Sequence, residues 1–334
     1  MLAKILRTGL ISAALLLLFF LTWFSLEFYR PTKAQPNTII FEVEKGQSVK
    51  EISRSLKKKG VIKKAWPFLL GYRVFFPGMS LKAGEYAIAI PDSPKNILTL
   101  LSEGNVHLRS ITIPEGLIIQ EIADLLESEK FAEKEDFLNE TADPHLIHDL
   151  DRDASNLEGY LFPETYRFAK GTTSGEIVAA MVYQFRDVFT QDWIERAEEL
   201  GMSVRDAVTL ASLIEKETSL VEEKKIISSV FHNRLNKGMK LDCDPTIIYA
   251  LKLEGSYKGR LRTIDLKLDS PYNTYLYPGL PPGPIANPGR GSLEAALYPS
   301  DSPYMYFVSK NDGSHHFSRT FREHVNAVNK YQRR

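Results

Sequence analysis

The strongest pattern in the chain comes first. Gly9 to Leu26 carries no charge and reads LISAALLLLFFLTWFSL after the glycine, which as a helix is about one bilayer crossing. Signal-peptide apolar cores are shorter, and Glu27-Phe28-Tyr29-Arg30 follows in place of a small-residue cleavage site. The pattern predicts an uncleaved anchor over 9–28 behind a short tail, residues 1–8. Lys4, Arg7 and the terminal amine precede the span, while Glu27, Arg30 and Lys33 follow it. The excess of positive charge weakly favours a cytoplasmic N-terminus, with the soluble bulk outside the cytoplasm. Trp23 and Tyr29 suit the far interface, and residues 31–37 read as a spacer.

Beyond the spacer the apolar positions alternate. Ile39 to Val43 predicts a strand, Lys45 to Ser48 a turn, and Val49 to Lys59 a helix capped by Ser48. A related unit follows: a strand at Ser110 to Ile113, a turn at Pro114 to Gly116 and a helix over Ile118 to Glu129. The two helices share a glutamate, an isoleucine, a small residue and a leucine, a weak internal repeat of strand-turn-helix units. Between them, residues 71–90 end in Leu81-Lys82-Ala83-Gly84-Glu85-Tyr86, which suggests a hairpin or strand pair. Residues 130–155 are polar and read as a connection. After Gly159 the helical period takes over, at about 173–200, at 204–218 and at 221–236. The last seventy or so residues are rich in Pro, Gly and Tyr and end in a strand at Met305 to Val308 and a helix after Thr320. The expected fold is α+β, with a membrane-proximal module at 38–150 and a mainly helical domain at 151–334.

Composition narrows the chemistry. A chain of 334 residues can bury an enzyme-sized core, and 42 basic against 42 acidic residues give no net field toward nucleic acid. A single cysteine, Cys243, excludes an intramolecular disulfide framework and sites built on several thiolates. It reads as a small buried residue. His315, His316 and His324 lack metal-ligand spacing and read as structural or surface residues. No glycine-rich nucleotide loop or Gly-x-Ser-x-Gly elbow is present.

Candidate chemistry centres on Leu210-Ala-Ser-Leu-Ile-Glu215-Lys-Glu217-Thr218. Ser203 and Asp206 have capping-box spacing, and Val204, Ala207, Val208, Ala211 and Ile214 form the apolar face. Glu215 and Glu217 differ by about 200° around the helix and flank that face. A carboxyl at such an edge can have a raised pKa and protonate a leaving oxygen, as a glycosidic acid must. The alternative is that both are solvated or pair with Lys216, Lys224 or Lys225, and periodicity does not rank the two. Downstream, Asn233 and Arg234 lie near a helix end, and Asp244-Pro245-Thr246 recaps another that carries Tyr249. They either orient sugar groups or hold helices and loop together. Tyr272-Asn273-Thr274-Tyr275 and the run from Gly279 to Gly289 suit the wall of a carbohydrate groove, or a stiff shaped loop.

The order of LEGYLFPETY at 157–166, ASLIEKET at 211–218, FHNRLNKGMKLDCDPTIIYA at 231–250, SPYNTY at 270–275 and GLPPGPIANPG at 279–289 resembles the MltG/YceG-like family of bacterial endolytic murein transglycosylases, over almost the whole chain. The resemblance implies a LysM-like membrane-proximal module and a lysozyme-like catalytic domain. It also implies a single-pass protein of the cytoplasmic membrane with its catalytic domain on the extracytoplasmic face. Such enzymes cleave MurNAc–GlcNAc β-1,4 bonds inside nascent glycan strands, near peptidoglycan synthases, and leave 1,6-anhydroMurNAc ends without metal or cofactor. The matching motif puts the catalytic role on Glu217 and a hydroxyl on Thr218. Asn233, Arg234, Asp244, Thr246, Tyr249, Tyr272, Asn273, Thr274 and Tyr275 match cleft positions, and Glu158 of the first motif matches cleft architecture. Two other readings stay open: a non-catalytic, membrane-anchored peptidoglycan-binding scaffold, and a muramidase that uses water.

Overall fold

The computed structural model describes residues 2–32 and 35–332. The chain forms two compact units, Met1–Arg109 with Arg167–Gly171, and Ser110–Tyr166 with Thr172–Arg334. The first runs α1 (Leu2–Tyr29), β1 (Asn37–Val43), α2 (Val49–Lys58), α3 (Ala65–Phe75), β2 (Gly84–Ile90) and α4 (Pro94–Glu103). β3 (Leu108–Thr112) follows, then α5 (Ile119–Ser128), α6 (Lys134–Thr141) and β4 (Thr165–Ala169), which pairs with β3. The second unit continues through α7 (Ser174–Val188), α8 (Gln191–Glu199), α9 (Val204–Glu217), α10 (Val221–Asn236), α11 (Asp244–Leu253), α12 (Arg290–Leu297), β5 (Tyr306–Ser309), β6 (His315–Ser318) and α13 (Phe321–Tyr331).

In α1, the most apolar 18 residues have a mean hydropathy of 2.2 and are almost wholly exposed, as expected of a segment whose solvent is lipid. Its last turns are an exception. Phe24 and Phe28 are buried, and Phe28 sits so close to Gly71 of α3 that a Cβ there would fall 2.1 Å from the ring. β1 and β2 pair antiparallel, from Asn37 opposite Ile90 to Val43 opposite Gly84. Phe41 and Val43 on one strand and Tyr86, Ile88 and Ile90 on the other turn inward onto Ile52, Leu56 and Phe68. Ser48 starts α2 through a reciprocal bond with Glu51.

Three expectations change. The strand at 84–90 does not form a local hairpin: Gly71 lies within α3, and the inward side chains of β2 find their alternating partner in β1. The helical stretch at 173–200 is two helices, broken at Phe189 and Thr190, where Phe189 leaves helical geometry to stack on Phe185. Residues 110–150, grouped by sequence with the membrane-proximal module, pack in the second unit, where Gly116 N–H donates to Asn287 O at 2.9 Å.

α9 is the centre of the second unit. Every residue from Ala207 to Ile214 is buried, with α8, α10, α11 and α12 packed around it. Gly159, at φ +88°, lies against it: a Cβ there would meet Pro284 at 2.5 Å and Val208 at 2.9 Å, so only glycine allows this approach. Ser203 and Asp206 form the expected capping box, and Thr218 ends the helix in extended geometry.

Candidate functional site

The last turn of α9 sends its two glutamates into different surroundings. The Glu215 side chain is only 7% exposed, with Lys224 Nζ 3.2 Å from both carboxylate oxygens and Gly289 N–H donating to Oε2 at 3.0 Å. Lys224 is buried as well, so the two charges neutralise each other inside the protein. Glu217 points the other way and lines a cleft of about 420 Å³. The neighbours thus set the two side chains apart: one glutamate is committed to an ion pair, and the other faces the cleft.

Glu217 Oε1 accepts a hydrogen bond from Cys243 Sγ at 3.0 Å. The cysteine is buried and fixed through its backbone, with its N–H donating to Thr274 Oγ1 at 3.0 Å and its carbonyl accepting from Thr246 Oγ1 at 2.7 Å. Burial pushes the Glu217 carboxyl up to about 7. The Cys243 hydrogen bond opposes that rise, nearby Asp244 adds to it, and His315 and Arg234 counter it. Asp244 is itself held by Tyr275, whose hydroxyl donates to Oδ1 at 2.6 Å.

Arg234 builds the cleft wall from behind. Its guanidinium donates to Met305 O at 2.7 Å, Leu241 O at 2.8 Å, Lys240 O at 3.1 Å and Asp242 Oδ2 at 3.1 Å, and it lies over the Tyr306 ring at 5.1 Å. Phe307, Phe321 and His324 add aromatic surface, and His315 is anchored through Nδ1 to Glu223 Oε2 at 2.7 Å. A neutral-range carboxyl, bound from one side by a thiol and flanked by polar groups and aromatic faces, can give a proton to a leaving oxygen and take one back. Among the described residues no group of His, Cys, Asp and Glu is arranged to hold a metal ion.

Of the site residues expected from sequence, Glu217, Arg234, Asp244 and Tyr275 meet in this cleft. Thr246 and Thr274 hold the Cys243 loop behind it. Asn233 donates to Ser302 O and Tyr304 O, and Asn273 donates to Leu266 O and Leu268 O, so both side chains are used in fixing backbone. Thr218 Oγ1 accepts from Leu220 N–H at 3.0 Å and turns the chain into α10.

Glu158, Tyr249 and Tyr272 lie together elsewhere. Glu158 is buried, accepts from Ile119 N–H, from Asn287 Nδ2 at 2.9 Å and from Tyr249 OH at 3.4 Å, and burial pushes it up to about 8. The Tyr249 and Tyr272 rings are 5.0 Å apart.

His315, Tyr306, Phe307 and His324 were not anticipated as cleft residues, and neither was the Cys243–Glu217 contact. Strand alternation was the one available signal: adjacent His315 and His316 on β6 must face opposite ways.

The chain is an α+β protein with one N-terminal apolar helix and a cleft built around a single α9 glutamate. Residues 41–330 match the YceG-like family, and the chain belongs to it. A Bacillus subtilis protein named endolytic murein transglycosylase is 36% identical over 316 residues, covering 90% of this chain and 86% of its own. A Streptococcus pneumoniae protein of the same name is 30% identical over 321 residues, covering 85% of this chain and 58% of its own length. A crystal structure of a YceG-like protein from Listeria monocytogenes, 36% identical, aligns over 88% of this chain and all of its own with a TM-score of 0.58.

Proposed function

We propose that this protein is an endolytic murein transglycosylase, cutting MurNAc–GlcNAc β-1,4 bonds within nascent glycan strands with Glu217 as its acid and base. The observation that carries the reading is the Glu217 carboxyl itself: it lines the cleft, is bound by Cys243, and is raised to about 7 by burial. Family membership and the relatives' printed names support the reaction class.

Neutral Glu217 protonates the bridging oxygen as the MurNAc C1–O bond breaks and C1 gains oxocarbenium character. The resulting carboxylate then removes the C6 hydroxyl proton while O6 bonds to C1. The proton count closes on one side chain, and the product ends in 1,6-anhydroMurNAc. No water enters, so the carboxyl pair of a hydrolytic glycosidase is unnecessary. Tyr275 and Asp244, with Arg234 behind them, supply polar wall, and Phe307 and Phe321 supply aromatic lining for a sugar ring.

The apolar helix α1 anchors the chain in the cytoplasmic membrane in a single pass, with the catalytic unit on the extracytoplasmic face, near the synthases that make its substrate. The β1–α2–α3–β2 unit is read as LysM-like, and the second unit as lysozyme-like.

The test is mass spectrometry of uncrosslinked glycan strands incubated with the full-length, detergent-solubilised protein. Internal fragments with 1,6-anhydroMurNAc ends are expected. Reducing MurNAc ends would mean a muramidase, and strand binding without cleavage would mean a scaffold.

A further inference from the structure

At the outer end of α1 the first unit borders an open pocket of about 620 Å³, lined by Trp23, Leu26, Glu27, Arg30 and Thr32 and by basic residues from the end of α2 to the start of α3. Lys57, Lys63 and Lys64 supply those charges. Lys64 is committed: its Nζ bonds Glu27 at 2.6 Å and lies over the Trp23 ring at 5.3 Å. Arg30, Lys57 and Lys63 are exposed and, among the described residues, form no ion pair. Thr32 lines the same pocket, and its hydroxyl is buried with no hydrogen-bond partner among the described residues. The site offers donors and positive charge, while its one acidic side chain is already used.

The membrane level of this pocket follows from α1. At 1.5 Å per residue, Gly9 to Leu26 spans about 27 Å, close to the hydrocarbon thickness of a bilayer. Leu26 then falls at the hydrocarbon boundary, Trp23 about one turn inside it and Arg30 about one turn beyond it. Trp66, at the start of α3, has its ring 4.8 Å from Trp23 and 6.1 Å from Phe20. Two tryptophans at this level are what the interfacial belt selects. The pocket therefore joins an acyl-level side, Trp23 and Leu26, to a headgroup-level cation, Arg30.

We propose that this pocket binds the phosphodiester headgroup of an anionic phospholipid in the leaflet on the side where the first unit folds. Phosphate oxygens only accept hydrogen bonds, and the exposed Arg30, Lys57 and Lys63 can donate to them. A zwitterionic headgroup brings an amine as well, which finds Glu27 occupied by Lys64 and the Trp23 face covered by the same lysine. The inference rests on α1 spanning the membrane, and occupancy clamps the first unit to the membrane surface.

The test uses full-length protein in detergent micelles, titrated with phosphatidylglycerol, phosphatidylcholine or inorganic phosphate and read by native mass spectrometry. Expected is a phosphatidylglycerol adduct at least tenfold tighter than the phosphatidylcholine one. It should weaken at least tenfold when Arg30→Gln, Lys57→Gln and Lys63→Gln are combined, and stay unchanged in Lys4→Gln with Arg7→Gln. All three pocket cations are exposed, so their removal leaves the core intact. Equal adducts for the two lipids, loss of the adduct in the Lys4 and Arg7 variant instead, or equal competition by inorganic phosphate would each overturn the proposal. Alkaline extraction of membranes separates the two layers of the argument: a chain that washes off overturns the anchor and the pocket together, and a retained chain without a selective adduct overturns the pocket alone.

Discussion

The Cys243 thiol donates to Glu217 Oε1 across 3.0 Å, and because a donor favours the charged carboxylate it holds the Glu217 pKa below what burial alone would give. Protonated Glu217 is the acid, so activity should be full below a pH of about 7 and fall above it. Cys243→Ala removes the donor, raises the Glu217 pKa and moves that alkaline limb to higher pH. Cys243→Ser supplies a stronger donor and moves it lower. The pH profile of anhydro-product release checks both. Unmoved profiles in both variants would mean that the thiol only fills space.

Glu215 and Glu217 should fail in opposite ways. Glu215→Gln leaves buried Lys224 with Glu115 at 3.6 Å as its remaining acid, which should cost about 3 kcal/mol. In a unit of this size that is a fall in Tm of roughly 6–12 °C. Glu217→Gln removes a carboxyl that is strained by burial, so it should leave Tm equal or higher above neutral pH while losing turnover. Thermal melts and product assays on the same two samples distinguish the roles.

Glu158 makes stability depend on pH. Its pKa is raised to about 8 from 4.5, so the folded state keeps a proton that the unfolded chain releases. The stability linked to it is complete below pH 4.5 and is lost as the pH rises toward 8. Glu158→Gln mimics the neutral form, accepting from Asn287 and Ile119 and donating to Tyr249. It should flatten the loss, worth up to a few kcal/mol, in denaturant melts run at pH 5 and 8.

Much of the fold was legible because the signals were local. The unbroken apolar run of α1, the Ser48 cap, the capping pair Ser203–Asp206, and the period of Val221 to Asn236 each specify an element within a dozen or so residues. What was not legible depends on contacts far apart in sequence. Residues 110–150 read as membrane-proximal because their strand-turn-helix repeat matches the earlier one, yet the 114–119 turn is held by Asn287. Glu215 and Glu217 looked alike until Lys224 and Gly289 claimed the first. Asn233 and Asn273 carry the right chemistry for sugar recognition, but their amides are used on backbone carbonyls. A motif shows which residues travel together and does not separate those that face the cleft from those that hold it open.

The most direct test of Glu217 as acid and base compares wild type with Glu217→Gln, both full-length and melting cooperatively, for release of 1,6-anhydroMurNAc ends from uncrosslinked glycan strands. Removing the only proton donor and acceptor of the step should lower product formation about a thousandfold or more. A folded Glu217→Gln protein that still releases anhydro ends within tenfold of wild type would contradict the role given to this residue.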